Sequence, residues 1–325
     1  MKHGAGNIGY FRLLQTISYI LFFHTAVFRD ALEDNFFMKH SYFILHIAVL
    51  CLGLSGVLGK VIQLNEAMLT WFRVFFAAIA LFLILKWAKV PHTVSRCEKW
   101  AIAKNGLYIT ASWLLFYASI KYANISIAVV CYCMASFFTA IFAPLINRTA
   151  FRKSEFLLST LTLLGIALIF HFEHTRQLGI AFGVISPAFA SLYAIHNEKL
   201  VRKYHSVLIN YYQMIGGTLG LGLALPCFLY FYPASTFVPR IQDIFYLIVL
   251  ALGCTVAVYL AFTEILKKIS AFTLNLSLNL EPVYAIVLAF LFFGESRQVN
   301  LAFYAGLALV ILSVVLQHML NKKRE

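Results

Sequence analysis

The chain has 325 residues, 62% of them hydrophobic and 12% charged, with a net charge of +13. Soluble domains usually carry about 25% charged residues, so this composition excludes a soluble protein and indicates one that crosses a bilayer many times. The basic residues are spread over short connections, a pattern of cytoplasmic loop anchoring and not of a nucleic-acid partner. Five of the six cysteines lie inside apolar runs, which points to packing and away from a disulfide framework or a zinc site.

Residues 1–37 stand apart from the rest of the chain. Residues 11–28 are apolar but contain Gln15 and His24, and Arg29-Asp30-Ala31-Leu32-Glu33-Asp34 comes next with no small-residue cleavage site. Two readings are open: an extension upstream of a natural start at Met38, or an amphipathic helix lying on the membrane. Beyond it, ten spans are predicted, at residues 42–62, 67–87, 100–120, 125–146, 156–172, 178–197, 207–230, 244–265, 271–293 and 301–320. About 20 apolar residues suffice to cross a hydrocarbon core. The connections are short and leave no room for a soluble domain. Seventeen lysines and arginines fall at the ends on one side, against five on the other (Lys60, Lys121, Arg176, Arg240 and Arg297). The excess predicts both termini in the cytoplasm. Trp87, Trp100, Tyr230 and Tyr232, at span ends, fit the interfacial aromatic belt.

An internal repeat is legible. Ile120-Lys121-Tyr122-Ala123-Asn124, ahead of the fourth span, answers Leu266-Lys267-Lys268-Ile269-Ser270, ahead of the ninth. In this register Trp113 pairs with Tyr259, Tyr117 with Thr263, and Ala135 with Glu281. Each repeat holds five spans, an odd number, so the halves 38–173 and 174–325 must run in opposite senses. Lys121 then falls outside and Lys267 inside. The predicted fold is an all-α integral membrane protein of ten transmembrane helices in two inverted five-helix repeats, both termini cytoplasmic. Such repeats place a site at their interface near the midplane in secondary transporters.

The ninth span carries an intramembrane carboxylate beside a proline, in Leu280-Glu281-Pro282-Val283-Tyr284. A charge near the midplane is costly and marks a functional site by default. Pro282 has no N–H, so the Leu278 carbonyl loses its helical donor and is open to another partner; Pro282 is the candidate hinge. Ser277, Glu281 and Tyr284 share one helix face, Asn275 and Asn279 another. One set faces a cavity and the other bonds a neighbouring helix; Glu281 is placed on the cavity side, the alternative being a buried carboxylate satisfied by nearby hydroxyls. Its nearest basic residues in sequence, Lys267 and Lys268, lie over three turns away.

Other spans supply matching stripes. These are Thr110, Trp113, Tyr117 and Lys121 in the third; Tyr132, Ser136 and Thr139 in the fourth; Ser186, Tyr193 and Asn197, with His196 beside them, in the sixth; and Thr255, Tyr259 and Thr263 in the eighth. Together they suit an aromatic-walled pocket with few polar groups, although helix–helix bonding explains most single Ser and Thr residues. The candidate substrate-binding set is Arg73, Trp113, Tyr117, Tyr132, Ser136, Tyr193, Tyr259 and Tyr284, with Glu281 for proton coupling. Arg73 has two readings, snorkelling to the outer interface or meeting an anionic substrate group. His46 and His196 read as satisfied core residues. Glu198 and Glu264 are expected to pair with Lys199 or Lys267. No nucleotide-binding, metal or hydrolytic motif appears, so no cofactor and no catalytic residue are expected.

Gly53-Leu54-Ser55-Gly56-Val57-Leu58-Gly59-Lys60, Trp71-Phe72-Arg73, Ser191-Leu192-Tyr193-Ala194, Tyr212-Gln213-Met214-Ile215-Gly216-Gly217 and the Glu281-Pro282 segment occur in this order and spacing. Over residues 42–320 the chain thereby resembles the EamA-type transporters of the drug/metabolite transporter superfamily. It departs from them at Leu52, where a tryptophan is often found, and at Ala135-Ser136, where the second repeat has Glu281-Pro282. The resemblance implies export of amino acids or related metabolites across a prokaryotic inner (plasma) membrane. Uptake of a metabolite or flipping of a lipid-linked sugar are alternatives in the same fold. A membrane-embedded enzyme or a scaffold is the contrasting class. The expected partners are a small-molecule solute and the lipid bilayer, with no nucleic acid; a homodimer is compatible with this class.

Overall fold

The computed structural model describes residues 41–90, 94–170, 177–231, 238–281, 284 and 301–322. Their regular structure is helical: α1 (Ser41–Val61), α2 (Glu66–Trp87), α3 (Arg96–Tyr122), α4 (Ile125–Tyr132), α5 (Met134–Asn147), α6 (Lys153–Phe170), α7 (Gln177–Leu200), α8 (Ser206–Phe231), α9 (Ile241–Ala251), α10 (Val258–Ile265), α11 (Ala271–Ser277) and α12 (Leu301–Lys322). A π-helical segment (Leu252–Ala257) joins α9 to α10, and a 3₁₀ turn (Leu278–Leu280) follows α11. The N-terminal 40 residues, Pro282 and Glu295 lie outside the described residues, and so do the expectations that fall on them.

Polar residues between apolar runs set the helix starts. Asn65 caps α2 by accepting the Met68 N–H at 2.7 Å, and Asn124 caps α4 by accepting that of Ile127 at 2.7 Å. Ser270 does the same for α11, accepting from Thr273 at 3.2 Å. Ser95 and Glu98 form a capping box at the start of α3. The Tyr204 hydroxyl also donates to Glu98, at 2.7 Å. The hydrogen bonds from Ser95 and then Tyr204 lower the Glu98 pKa from its ordinary 4.5 to about 2.

Among the described residues, five helical stretches are long and apolar enough to cross a membrane: Glu66–Trp87, Ile125–Asn147, Gln177–Leu200, Ser206–Phe231 and Ile241–Ile265. The sequence predicts ten. Helix α3 is long, at 27 residues, but carries Arg96, Glu98, Lys99, Lys104 and Asn105 towards its N-terminal end. The ninth run is interrupted at Leu278, and most of its remainder is outside the described residues. Large apolar side chains face outward, among them Leu223 (84% exposed) and Ile241 (88%). Such exposure suits lipid and not water.

Helix α3 is central and packs against α7 and α8, while α8 also packs on α2 and α12 on α6. The α3–α8 contact is backbone to backbone. A Cβ on Gly106 would stand 1.9 Å from the Gln213 carbonyl oxygen, and one on Gly216 would stand 2.1 Å from that of Ala103. Small residues at such crossings are how membrane helices approach closely.

Candidate functional site

Helices α1 to α4 and α10, with Glu281 after the 3₁₀ turn, enclose a cavity lined by Leu52, Ser55, Arg73, Trp113, Phe116, Tyr132, Tyr259 and Glu281. The space open to the centre of a water molecule is about 20 Å³. That holds roughly one water and excludes an organic solute until helices separate.

Arg73 is 1% exposed, so it does not snorkel. Its side chain turns inward because the protein supplies a fork-shaped set of acceptors. Nε donates to Thr255 Oγ1 at 2.8 Å, Nη2 to the Cys254 carbonyl at 3.2 Å and Nη1 to the Tyr117 hydroxyl at 2.8 Å. Ser55 Oγ is a more distant acceptor, at 3.5 Å. The guanidinium also lies 3.8 Å from the centroid of the Trp113 ring, a cation–π contact. Bonding of this kind fits a planar guanidinium and not a lysine ammonium.

The π segment makes the Cys254 contact possible. In a regular α-helix the Val258 N–H would take the Cys254 carbonyl; here it donates to Thr255. Cys254 then accepts from Arg73. Thr255 Oγ1 closes the wide turn by donating to the Leu250 carbonyl, five residues back, at 2.8 Å. Insertions of this type are frequent at functional sites.

Glu281 is placed by the other irregular turn. The Leu278 carbonyl, which Pro282 cannot serve, does not stay open as expected: the Glu281 N–H reaches it instead, within the 3₁₀ turn. Glu281 is 4% exposed and faces the cavity that Arg73 also lines. The cationic group facing it is therefore Arg73 from α2, not Lys267 or Lys268. Lys267 pairs with Glu264 at 2.6 Å. Glu198 pairs with Arg202 at 3.5 Å and not with Lys199, because neighbours four apart share a helix face and adjacent ones do not. The asparagine face of α11 and its 3₁₀ turn bonds the neighbouring helix: Asn275 donates to Thr139 at 2.8 Å and Asn279 to Ser136 at 3.4 Å.

Five of the predicted residues, Arg73, Trp113, Tyr132, Tyr259 and Glu281, meet on the cavity. Tyr117 stands behind Arg73 as its acceptor. Tyr193 lies a layer further out, its ring 5.8 Å from that of Tyr259 and its hydroxyl donating to Gln213 at 3.2 Å. Ser136 does not line the cavity; its hydroxyl donates to the Cys133 carbonyl at 3.1 Å. Tyr284 is half-buried against the core. Leu52, Ser55 and Phe116 line the cavity but are not among the predicted site residues. Leu52 and Ser55 stand three apart on one face of α1, and Phe116 stands three from Trp113, so helical spacing from a known lining residue finds the latter.

A family model described as the EamA-like transporter family matches residues 40–171 and 177–317. A protein of Clostridium kluyveri named as an uncharacterized transporter is 22% identical over 310 residues, 88% of this chain and 95% of the relative. Another of that name, from Haemophilus influenzae, is 23% identical over 275 residues, 78% of this chain and 85% of the relative. A crystal structure of a protein 14% identical matches with a TM-score of 0.65 over 88% of this chain and 99% of the other, a likeness of fold alone. This chain is a multi-pass membrane protein and belongs to the EamA-like transporter family.

Proposed function

We propose that this protein is a secondary transporter moving a small organic solute by alternating access, and that it exports amino acids or related metabolites across a prokaryotic plasma membrane. Arg73, Trp113, Tyr132 and Tyr259 bind the solute, and Glu281 couples its movement to protons. The observation that carries the reading is the placement of one buried guanidinium and one buried carboxyl on the same aromatic-walled cavity.

Ten spans in two inverted repeats, 38–173 and 174–325, with cytoplasmic termini, complete the proposal. Two helix interruptions support it. The α4–α5 break at Cys133 and the 3₁₀ turn at Leu278–Leu280 fall at matching places in the register that pairs Ala135 with Glu281. Discontinuous helices in corresponding positions of two halves are a mark of carrier binding sites. Polar contacts close both ends. On the outer side Lys121 reaches the Leu64 carbonyl and the Gln63 N–H donates to Asp243 at 3.2 Å. On the inner side the Ala271 N–H donates to Glu198 at 3.0 Å, and Ser206 donates to Glu264.

Purified protein in proteoliposomes, offered a panel of amino acids and related metabolites, is expected to move a subset of them. Chemical turnover of one of these compounds without net movement of any would replace the carrier reading with an enzymatic one.

A further inference from the structure

We infer that the cavity selects an organic monocarboxylate, held by Arg73, and takes it up together with a proton on Glu281. The inference rests on the carrier reading above and specifies its solute and the sense of its coupling. Besides Arg73 and Glu281, the lining is Leu52, Ser55, Trp113, Phe116, Tyr132 and Tyr259, none of them charged at neutral pH. With Glu281 ionised, the cavity holds one positive and one negative charge and is balanced. An uncompensated charge in so buried a space is strongly disfavoured, because the cavity offers too little water to solvate it.

A solute carboxylate arriving at Arg73 would leave two anions facing one cation. Balance returns when Glu281 takes a proton. Solute anion and proton then occupy the cavity together, and the loaded site has the same net charge as the empty one. Among the described residues, the other titratable groups near Glu281 are the phenols of Tyr132 on α4 and Tyr259 on α10 and the Cys133 thiol between α4 and α5, with the phenol of Tyr284 one turn further along its own chain segment. All of these ionise ordinarily above neutral pH, so Glu281 is the group that changes charge. Helices α1 and α3 present Ser55, Leu52, Trp113 and Phe116, none of which titrates there.

Arg73 is built for the anion. Thr255 and the Cys254 carbonyl fix Nε and Nη2 from one side, and Trp113 covers a face. Ser55, at 3.5 Å from Nη1, is the weakest of its acceptors and the one that also lines the cavity. A carboxylate taking that position gains a charge-assisted bond where a neutral hydroxyl gave a long one. The remaining walls are apolar or aromatic and suit an uncharged tail. Export follows when the solute gradient points outward, with one proton leaving beside each solute.

The experiment uses three compounds of one shape: phenyllactate (an anion), phenylalanine (a zwitterion) and phenylalaninol (a cation). Flux into proteoliposomes is measured under an imposed pH gradient, with protein-free vesicles subtracted and an internal pH dye reporting protons. Phenyllactate is expected to be favoured by at least about tenfold, with one proton moving in the same direction per solute. Glu281→Gln, which resembles the protonated form, is expected to exchange labelled for unlabelled phenyllactate independently of pH and to move no protons. Arg73→Gln, which keeps polar atoms but removes the charge, is expected to lose phenyllactate flux, and full flux in that variant overturns the inference. Should it fail to fold, Glu281→Gln still decides the matter. Phenylalanine transported with protons moving the opposite way overturns the inference while leaving a carrier, since Glu281 would then hold the ammonium. Transport of other solutes on the wider panel, with none of the three moving, also overturns it. Flux of nothing at all removes the carrier reading itself.

Discussion

Trp113 Nε1 donates to the Tyr259 hydroxyl at 3.1 Å, and the two rings meet edge to face with centroids 5.0 Å apart. These residues are partners in the repeat register, one from each half of the sequence. In the proposed inverted repeat, residues exchanged by the two-fold axis touch only close to that axis, so the contact fits a cavity lying where the halves meet.

Tyr259→Phe removes that acceptor and keeps the ring. The indole N–H of the 3%-exposed Trp113 then lacks this partner. A loss of about 0.5–1.5 kcal/mol in stability is expected, read as a lower melting temperature in detergent, with weaker solute binding in a flux assay.

Arg73→Lys keeps the charge but cannot serve Thr255, Cys254 and Tyr117 together. Each lost charged hydrogen bond is worth about 1.5–3 kcal/mol, so the variant is expected to melt well below the native protein. Unchanged melting would show that the fork of contacts does not hold the side chain.

Gly59→Ala tests the site from behind. The added Cβ would lie 2.4 Å from Tyr117 Cε1, inside contact distance, although Gly59 does not line the cavity. Tyr117 must shift, carrying its hydroxyl away from Arg73. Overpacking of this kind costs about 1–3 kcal/mol. Flux is expected to fall, and Gly59→Ala combined with Tyr117→Phe to lose little beyond Gly59→Ala alone.

Glu98 supplies a pH dependence at the start of α3. Its pKa is lowered on folding, so its contribution is fully present above the ordinary 4.5 and is lost as pH falls towards about 2. Amide exchange in the first turn of α3, followed across that window, is expected to rise at low pH. In Ser95→Ala or Tyr204→Phe the rise should begin at higher pH, because each variant removes one of the bonds that stabilise the carboxylate.

Much of this protein is local and was legible in its sequence. Apolar runs of spanning length and the answering segments ahead of the fourth and ninth spans depend on residues a few positions apart. The sequence also named Arg73 and Glu281, because ionisable groups in apolar runs are rare and costly. It could not choose between snorkelling and burial for Arg73. That choice depends on Thr255, Cys254 and Tyr117, which are up to 182 positions away and meet the guanidinium only after α2, α3 and the π segment pack. Nor did helical spacing foresee the π and 3₁₀ turns that free the Cys254 carbonyl and occupy that of Leu278, since both replace the regular repeat on which such spacing rests. Glu281 gained its facing cation in the same way. A residue's own helix determines its face, but only packing determines what stands opposite it.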